Sequence, residues 1–446
     1  MRAIVFSLAS LLVTEAHAQI ARPSVAQTDI TAPASSSLSF TEALRRAIEA
    51  NSSIQRARAD VAVAEAQKDI IFSSVLPRVA ISGSGIRNTE NVQFGEGDQS
   101  RTILPENDWN ARLTLSQPIY AGNRERRAYE QSKLAVLSAG ETVRSTEDQV
   151  LLVTAADYLG VVQGQGLVAA ERLNVELSER RLKQARDFFE AGEVTRVEVL
   201  RGEASVKGAQ RRLAGAIQQR DTAGSRLRIN LNVTTPVTVT KPTFDLGTLD
   251  KEAQLVERAL SRRPAVRQAE NNLAVAKLEV RKQRGAYMPV VSADAAYVQQ
   301  KSTFPSDSYG QAALRVTIPI YQGGEIGARV ALARERERQA ELALAELKQA
   351  ITEDVRRGLL DLTAAETSLA LAREQLEAAQ AEYEQTFELY QAQEATSLDV
   401  QSAETSLADA RRAVVTSELD RDLARFRVLS ASGSFREAVL KEGEQQ

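Results

Sequence analysis

Residues Ala47–Gly85 read AIEANSSIQRARADVAVAEAQKDIIFSSVLPRVAISGSG, and residues Ala259–Tyr297 read ALSRRPAVRQAENNLAVAKLEVRKQRGAYMPVVSADAAY. The two align without a gap, and Leu76-Pro77 falls on Met288-Pro289. Further along, LTLSQPIYAG (Leu113–Gly122) falls on LRVTIPIYQG (Leu314–Gly323), and AGEVTRVEVLRGE (Ala191–Glu203) on AQEATSLDVQSAE (Ala392–Glu404). Each copy spans roughly 200 residues, so the chain is a duplicated domain rather than a short solenoid repeat. The periodicity places the copies at 40–231 and 249–432, joined by a linker over 232–248 and followed by a tail over 433–446.

The N-terminus carries Arg2, the apolar run Ala3–Val13 and then Ala16-His17-Ala18. That pattern predicts a secretory signal over 1–18, cleaved after Ala18, because an apolar run of about 11 residues is too short to cross a bilayer. Residues 19–39, rich in Ser, Thr, Ala and Pro, predict a flexible leader. No later stretch reads as a transmembrane helix. The chain has no cysteine, and its one histidine, His17, lies in the signal. Thiolate chemistry, disulfides and a histidine base are therefore excluded from the mature chain, and no metal site or cofactor is implied. With 56 basic and 59 acidic residues the net charge is −3, which points to no nucleic-acid partner.

Phe40–Leu76 has apolar residues at three- and four-residue spacing and predicts a helix that Ser39 or Thr41 can cap and Pro77 ends. The tracts Asn123–Glu190 and Gly324–Gln391 contain no proline, and each predicts one helix about 100 Å long. The pairs Phe40–Leu76 plus Thr195–Leu231, and Leu249–Ala286 plus Thr396–Ser430, stack to about 105–115 Å. Each half can thus set one long helix beside two stacked shorter ones in a single tall layer.

Between these helices the period changes to two. Trp109, Ala111, Leu113 and Leu115 alternate with Asn110, Arg112, Thr114 and Ser116. Arg78–Arg87 is a weaker strand, and Val291–Tyr297 and Ala312–Ile318 repeat the pair in the second copy. Four strands of about ten residues, each with one apolar and one polar face, match tilted bilayer-spanning strands. An open sheet edge leaves amides unpaired in lipid, and about eight strands make the smallest membrane barrel. Several chains must therefore close it, and three give twelve strands. Trp109, Tyr120, Tyr287, Tyr297, Tyr309 and Tyr321 flank the strands as an interface girdle does.

The doubled starts AIEANSSI and ALSRRPAV, the Leu-Pro and Met-Pro breaks, the QPIYAGN and IPIYQGG exits and the AGEVTRVEV and AQEATSLDV tips, in this order and spacing, resemble the outer membrane efflux proteins of the TolC type. The first copy departs from that pattern at Ser52-Ser53, which lacks the usual proline. The resemblance implies a mainly α fold with a β-barrel: a homotrimer with a twelve-stranded barrel in outer-membrane lipid, a hollow helical tunnel in the periplasm, and an equatorial girdle from Asn232–Asp250 and the residues after Ser430. It also implies a passive duct, not an enzyme, serving a tripartite efflux pump or a type I secretion system. Its partners would be a periplasmic adaptor and an inner-membrane pump or ABC transporter. A periplasmic adaptor and a structural coiled-coil protein are the alternative classes. The first should show one hairpin with Gly-rich β-domains, and the second should lack the proline-bounded strands.

The resemblance assigns roles to the tips. Glu198 and Asp399, with Glu404 or Glu394 in support, form an acidic ring at the periplasmic mouth, although Ser402 stands where a second acid is usual. Without the resemblance, helix N-terminal charge is the better account of Glu198 and Asp399, and both roles can hold together. Tyr390 and Glu198 form a latch whose usual arginine is replaced by Ala395. Ala191, Gly192, Ala392 and Gln393 are the adaptor-contact tips, with Gln393 in place of the usual glycine.

Overall fold

The computed structural model describes residues 38–95, 97, 101–244, 249–301 and 306–442. The expected signal over 1–18 and most of the expected leader lie outside the described residues. Leu38, at the leader's end, forms a parallel bridge with Val239, and Ser39 caps the first helix through a bond from the Glu42 amide.

The first helical tract is two helices, α1 (Phe40–Ala50) and α2 (Ser52–Ser73), which corrects the single helix expected over Phe40–Leu76. Asn51 breaks it with extended backbone. Its side chain accepts from the Ser53 amide at 2.9 Å and starts α2. The strands β1 (Arg78–Arg87) and β4 (Asn107–Ala121) follow, with a short hairpin β2 (Val92–Phe94) and β3 (Arg101–Leu104) inside what reads as a polar linker. Then come α3 (Arg124–Glu190, 67 residues) and α4 (Arg196–Asn230, 35 residues).

The second copy repeats this order. Its first tract is also split, into α5 (Glu252–Arg262) and α6 (Pro264–Arg284), because Pro264 lacks the amide that a continuing helix needs. After β5 (Val290–Gln300) and β6 (Ser308–Thr317) come α7 (Glu325–Gln391, 67 residues), α8 (Ser397–Ala431, 35 residues) and the short α9 (Phe435–Glu442). The matched lengths show that both halves build the same unit. Both long helices are also entered the same way, through two consecutive residues at positive φ: Gly122-Asn123 and Gly323-Gly324.

The strands form one antiparallel sheet in the order β1-β4-β5-β6. The helices form one layer in the matching order. The stack of α2 and α4 packs on α3, α3 packs on the stack of α6 and α8, and that stack packs on α7. Each strand thus continues one helical column. α3 is flanked on both sides, and its buried residues run from Ser132 to Ala185. Sheet and helical layer both end openly, at β1 with α2 and α4 on one side and at β6 with α7 on the other. Beyond β6 the exit residues Ile318, Ile320 and Tyr321 are exposed and unpaired, whereas their first-copy counterparts continue β4 against β5.

The largest core lies near mid-height. Phe40, Tyr158, Phe244, Phe426 and Phe435 pack there with ring centroids 4.9–5.7 Å apart. The Tyr158 hydroxyl lies 2.8 Å from the carbonyl oxygens of both Leu38 and Thr240. The segment after Asn232 and α9 therefore dock on the helical layer here. Contrary to the sequence reading, one helix among the described residues, α3, is by length and composition long and apolar enough to span a bilayer. Its residues Val150, Leu151, Leu159, Val161 and Leu167 are buried in the protein core.

Candidate functional site at the helical tips

The loops α3–α4 and α7–α8 are copies of one device. α3 ends at Ala191, and Gly192 at φ 78° donates to the Phe189 carbonyl while the Glu193 amide reaches Phe188. α7 ends at Ala392, and Gln393 at φ 65° donates to the Tyr390 carbonyl while the Glu394 amide reaches Leu389. Both are Schellman closures, which need a left-handed residue after the cap. Glycine takes that position freely in the first tip. In the second the glutamine is strained, and its amide donates to the Glu193 carboxylate at 2.6 Å, joining the two tips.

The next helices begin with Thr195 and Thr396. Thr396 and Asp399 form a full capping box: the Thr396 hydroxyl oxygen accepts from the Asp399 amide at 3.3 Å, and the Asp399 carboxylate accepts from the Thr396 amide at 2.9 Å and from the Thr396 hydroxyl at 2.6 Å. The last two bonds hold the Asp399 carboxyl below the usual carboxylate range. The carboxylate is exposed, so it can cap α8 and act on ions in solution together. Glu198 accepts from the Ser397 hydroxyl, and its other oxygen accepts from Arg201 at 2.7 Å. It thereby ties the first turn of α4 to the first turn of α8.

Tyr390 is 5% exposed and packs edge-on to Phe188 at 5.7 Å. Among the described residues its hydroxyl has no hydrogen-bond partner. Burial pushes its phenol pKa up, and the charge of Glu198 adds to the shift. The two expected latch residues are therefore neighbours in the electrostatic sense without a hydrogen bond within the chain.

Glu404 is placed differently from the exposed position expected of a ring residue. It is buried between α3 and α8, 3.3 Å from Arg181, and accepts from the Ser178 hydroxyl. Within the chain its charge is paired with Arg181. Glu394 is exposed. Arg181 and Ser178 are buried partners that no local spacing announces, because they lie more than 200 residues from Glu404. The same helix pair continues this polar seam at Glu171, which faces Arg412 at 3.7 Å and Arg212 of α4 at 3.5 Å.

The sheet divides as its period requires. Val79, Ile81, Leu113, Leu115, Tyr297, Leu314 and Val316 share one face and are exposed. Ser82, Arg112, Thr114, Ser116, Asp294 and Gln311 share the other. An exposed apolar sheet face opposite a polar one suits lipid outside and water inside.

A family model described as outer membrane efflux protein matches residues 43–232 and again 255–434. The outer membrane efflux protein BepC of Brucella suis biovar 1 (strain 1330) is similar, 24% identical over 414 residues that cover 91% of this chain and 88% of BepC. Outer membrane protein TolC of Escherichia coli (strain K12) is 21% identical over 426 residues, covering 91% of this chain and 85% of TolC. The solved Campylobacter jejuni CmeC outer membrane channel has the same fold, with a TM-score of 0.75 at 19% identity, covering 91% of this chain and 88% of that one.

Proposed function

Because this chain belongs to the outer membrane efflux protein family and is an export channel of the outer membrane, we propose that three copies close into one duct. The matching order of strands and helical columns carries this reading. Sheet and helical layer both end openly on the same two sides, so one kind of lateral contact continues both. Repeating it three times gives twelve strands and leaves no edge in lipid. The exposed Ile318, Ile320 and Tyr321 then gain a neighbouring β1 to pair with.

The family is one of channels rather than enzymes. The duct takes cargo from a periplasmic adaptor and an inner-membrane pump or ABC transporter. Ala191, Gly192, Ala392 and Gln393 meet the adaptor, and Glu198 with Asp399 ring the mouth. Tyr390 and Glu198 hold the mouth closed, with Ser397 as the acceptor's immediate partner. A lone periplasmic adaptor or a structural coiled coil leaves the duplicated sheet without a purpose.

Detergent-extracted protein should run as a trimer that heat converts to monomer, and it should conduct ions in a planar bilayer. A monodisperse monomer in plain buffer would falsify the duct. Crosslinking in cells through Gly192→Cys should capture the adaptor, and capture of none would remove that docking role.

A further inference from the structure

We infer that the polar face of the sheet forms a basic belt inside the barrel, which selects small cargo carrying several carboxylate or phosphate groups. The inference rests on the channel reading above and adds a substrate class to it.

The register sets the belt. Arg78, Ser116, Asp294 and Ala313 form one cross-strand row on the polar face. In the next row toward the helices Arg315 stands opposite Ser292. Ser82, Arg112, Val298 and Tyr309 form a row four residues away along β4, or about 13 Å at the usual rise per residue. All three arginines are exposed.

Of the carboxylates on this face, only Asp294 comes within ion-pair distance of one of these arginines, Arg315. A barrel made only of these strands has no carboxylates on its polar face other than Asp294 and Asp108. Asp294 is already engaged: Ser116 donates to it at 2.7 Å, Ser292 at 3.2 Å, and Arg315 lies 3.9 Å away. Asp108 lies at the far end of the sheet, opposite Ile86. Among the described residues, no carboxylate lies within ion-pair reach of Arg78 or Arg112. No neighbouring copy can supply one from its strands, because the polar faces of β1 and β6 carry no acidic residue.

Arginine keeps its charge at any working pH and offers a planar fork of donors that fits carboxylate and phosphate oxygens. Repeated by symmetry on low-dielectric walls, such a fork concentrates anions in the lumen. The acidic tips do not oppose this directly. The 67-residue helices hold them about 100 Å from the sheet, roughly ten screening lengths at 0.1 M salt. A small polyanion can touch more than one arginine row, which a monovalent anion cannot.

The test is block of single trimeric channels in a planar bilayer, with inorganic tripolyphosphate added on the barrel side. Wild-type channels should be blocked, while spermidine, a polycation, should not block from that side. The variant R78Q/R112Q/R315Q should need about tenfold more tripolyphosphate for half block, and R78K/R112K/R315K should recover most of the difference. If the triple glutamine variant does not insert, each single glutamine variant should raise the half-blocking concentration about two- to threefold. Open wild-type channels that tripolyphosphate does not block, or equal block in wild type and glutamine variants, would overturn the belt. Trimers without any conductance would overturn the channel reading itself, which separates the two failures.

Discussion

Gly122 and Gly192 both hold a positive φ, yet a side chain has different consequences at each. A Cβ on Gly122 would lie 2.0 Å from the Gly285 carbonyl oxygen, where the exit of β4 crosses the end of α6. One on Gly192 would meet nothing within 4 Å. Gly192→Ala therefore costs only the backbone preference, about 1 kcal/mol, and trimers should form normally. Gly122→Ala must displace backbone, and heat-stable trimer should be lost on gels. The buried pair Arg181 and Glu404 gives a second test. Removing one partner leaves an uncompensated buried charge, which costs about 3–5 kcal/mol, whereas replacing both by apolar residues is close to neutral. Thermal unfolding should thus show Glu404→Leu and Arg181→Met each well below wild type, and the double variant recovered. An additive double variant would show that the pair does not interact.

At the scale of elements, Asn51 does two jobs at the α1–α2 break. Its side-chain oxygen caps α2, and its side-chain amide donates to the Asn230 carbonyl at 3.2 Å, closing the end of α4. It is the joint that stacks α2 on α4. Asn51→Ala should cost about 1–2 kcal/mol, and hydrogen exchange should speed up at the first turn of α2 and the last turn of α4 while α7 stays protected. This joint was hard to read in the sequence: Ser52-Ser53 offers no proline, and even Leu249–Ala286, where Pro264 stands at the same break, reads as one helical tract. The helix ends next to glycine or the tip threonines were legible to within a residue or so, since left-handed caps and N-cap residues leave local signals. The strands were legible from their period of two, but the β2–β3 hairpin was not, being too short to show one. The position of Glu198, Asp399 and Tyr390 at the helical tips could be read from the tip motifs. The burial of Glu404 could not, because Arg181 and Ser178 meet it across helices that are adjacent only in the folded layer.

At the scale of the whole molecule, the mouth's charge depends on which tip carboxylates face the passage. Asp399 is exposed and held ionised by Thr396, while Glu404 is matched by Arg181 inside the wall. A depressed carboxylate pKa means that the charge, and any stability linked to it, is present above the ordinary carboxylate value and is lost only as pH falls through the lower folded value. Cation preference should therefore persist at pH 4, where an unperturbed carboxylate would be losing its charge. Reversal potentials across a potassium chloride gradient should show this directly. Asp399→Asn should cut the cation-to-anion permeability ratio roughly in half. Glu404→Gln, measured on the trimers that insert, should leave the ratio unchanged, because its charge is buried and paired with Arg181. The latch reads out in the same recordings as conductance. Tyr390→Phe, Glu198→Gln and Ser397→Ala should each raise it, and the pair Glu198→Gln with Ser397→Ala should add little to either alone, since both cut one bond between the first turns of α4 and α8. Unchanged conductance in all three single variants would leave the closed mouth held by something other than these residues.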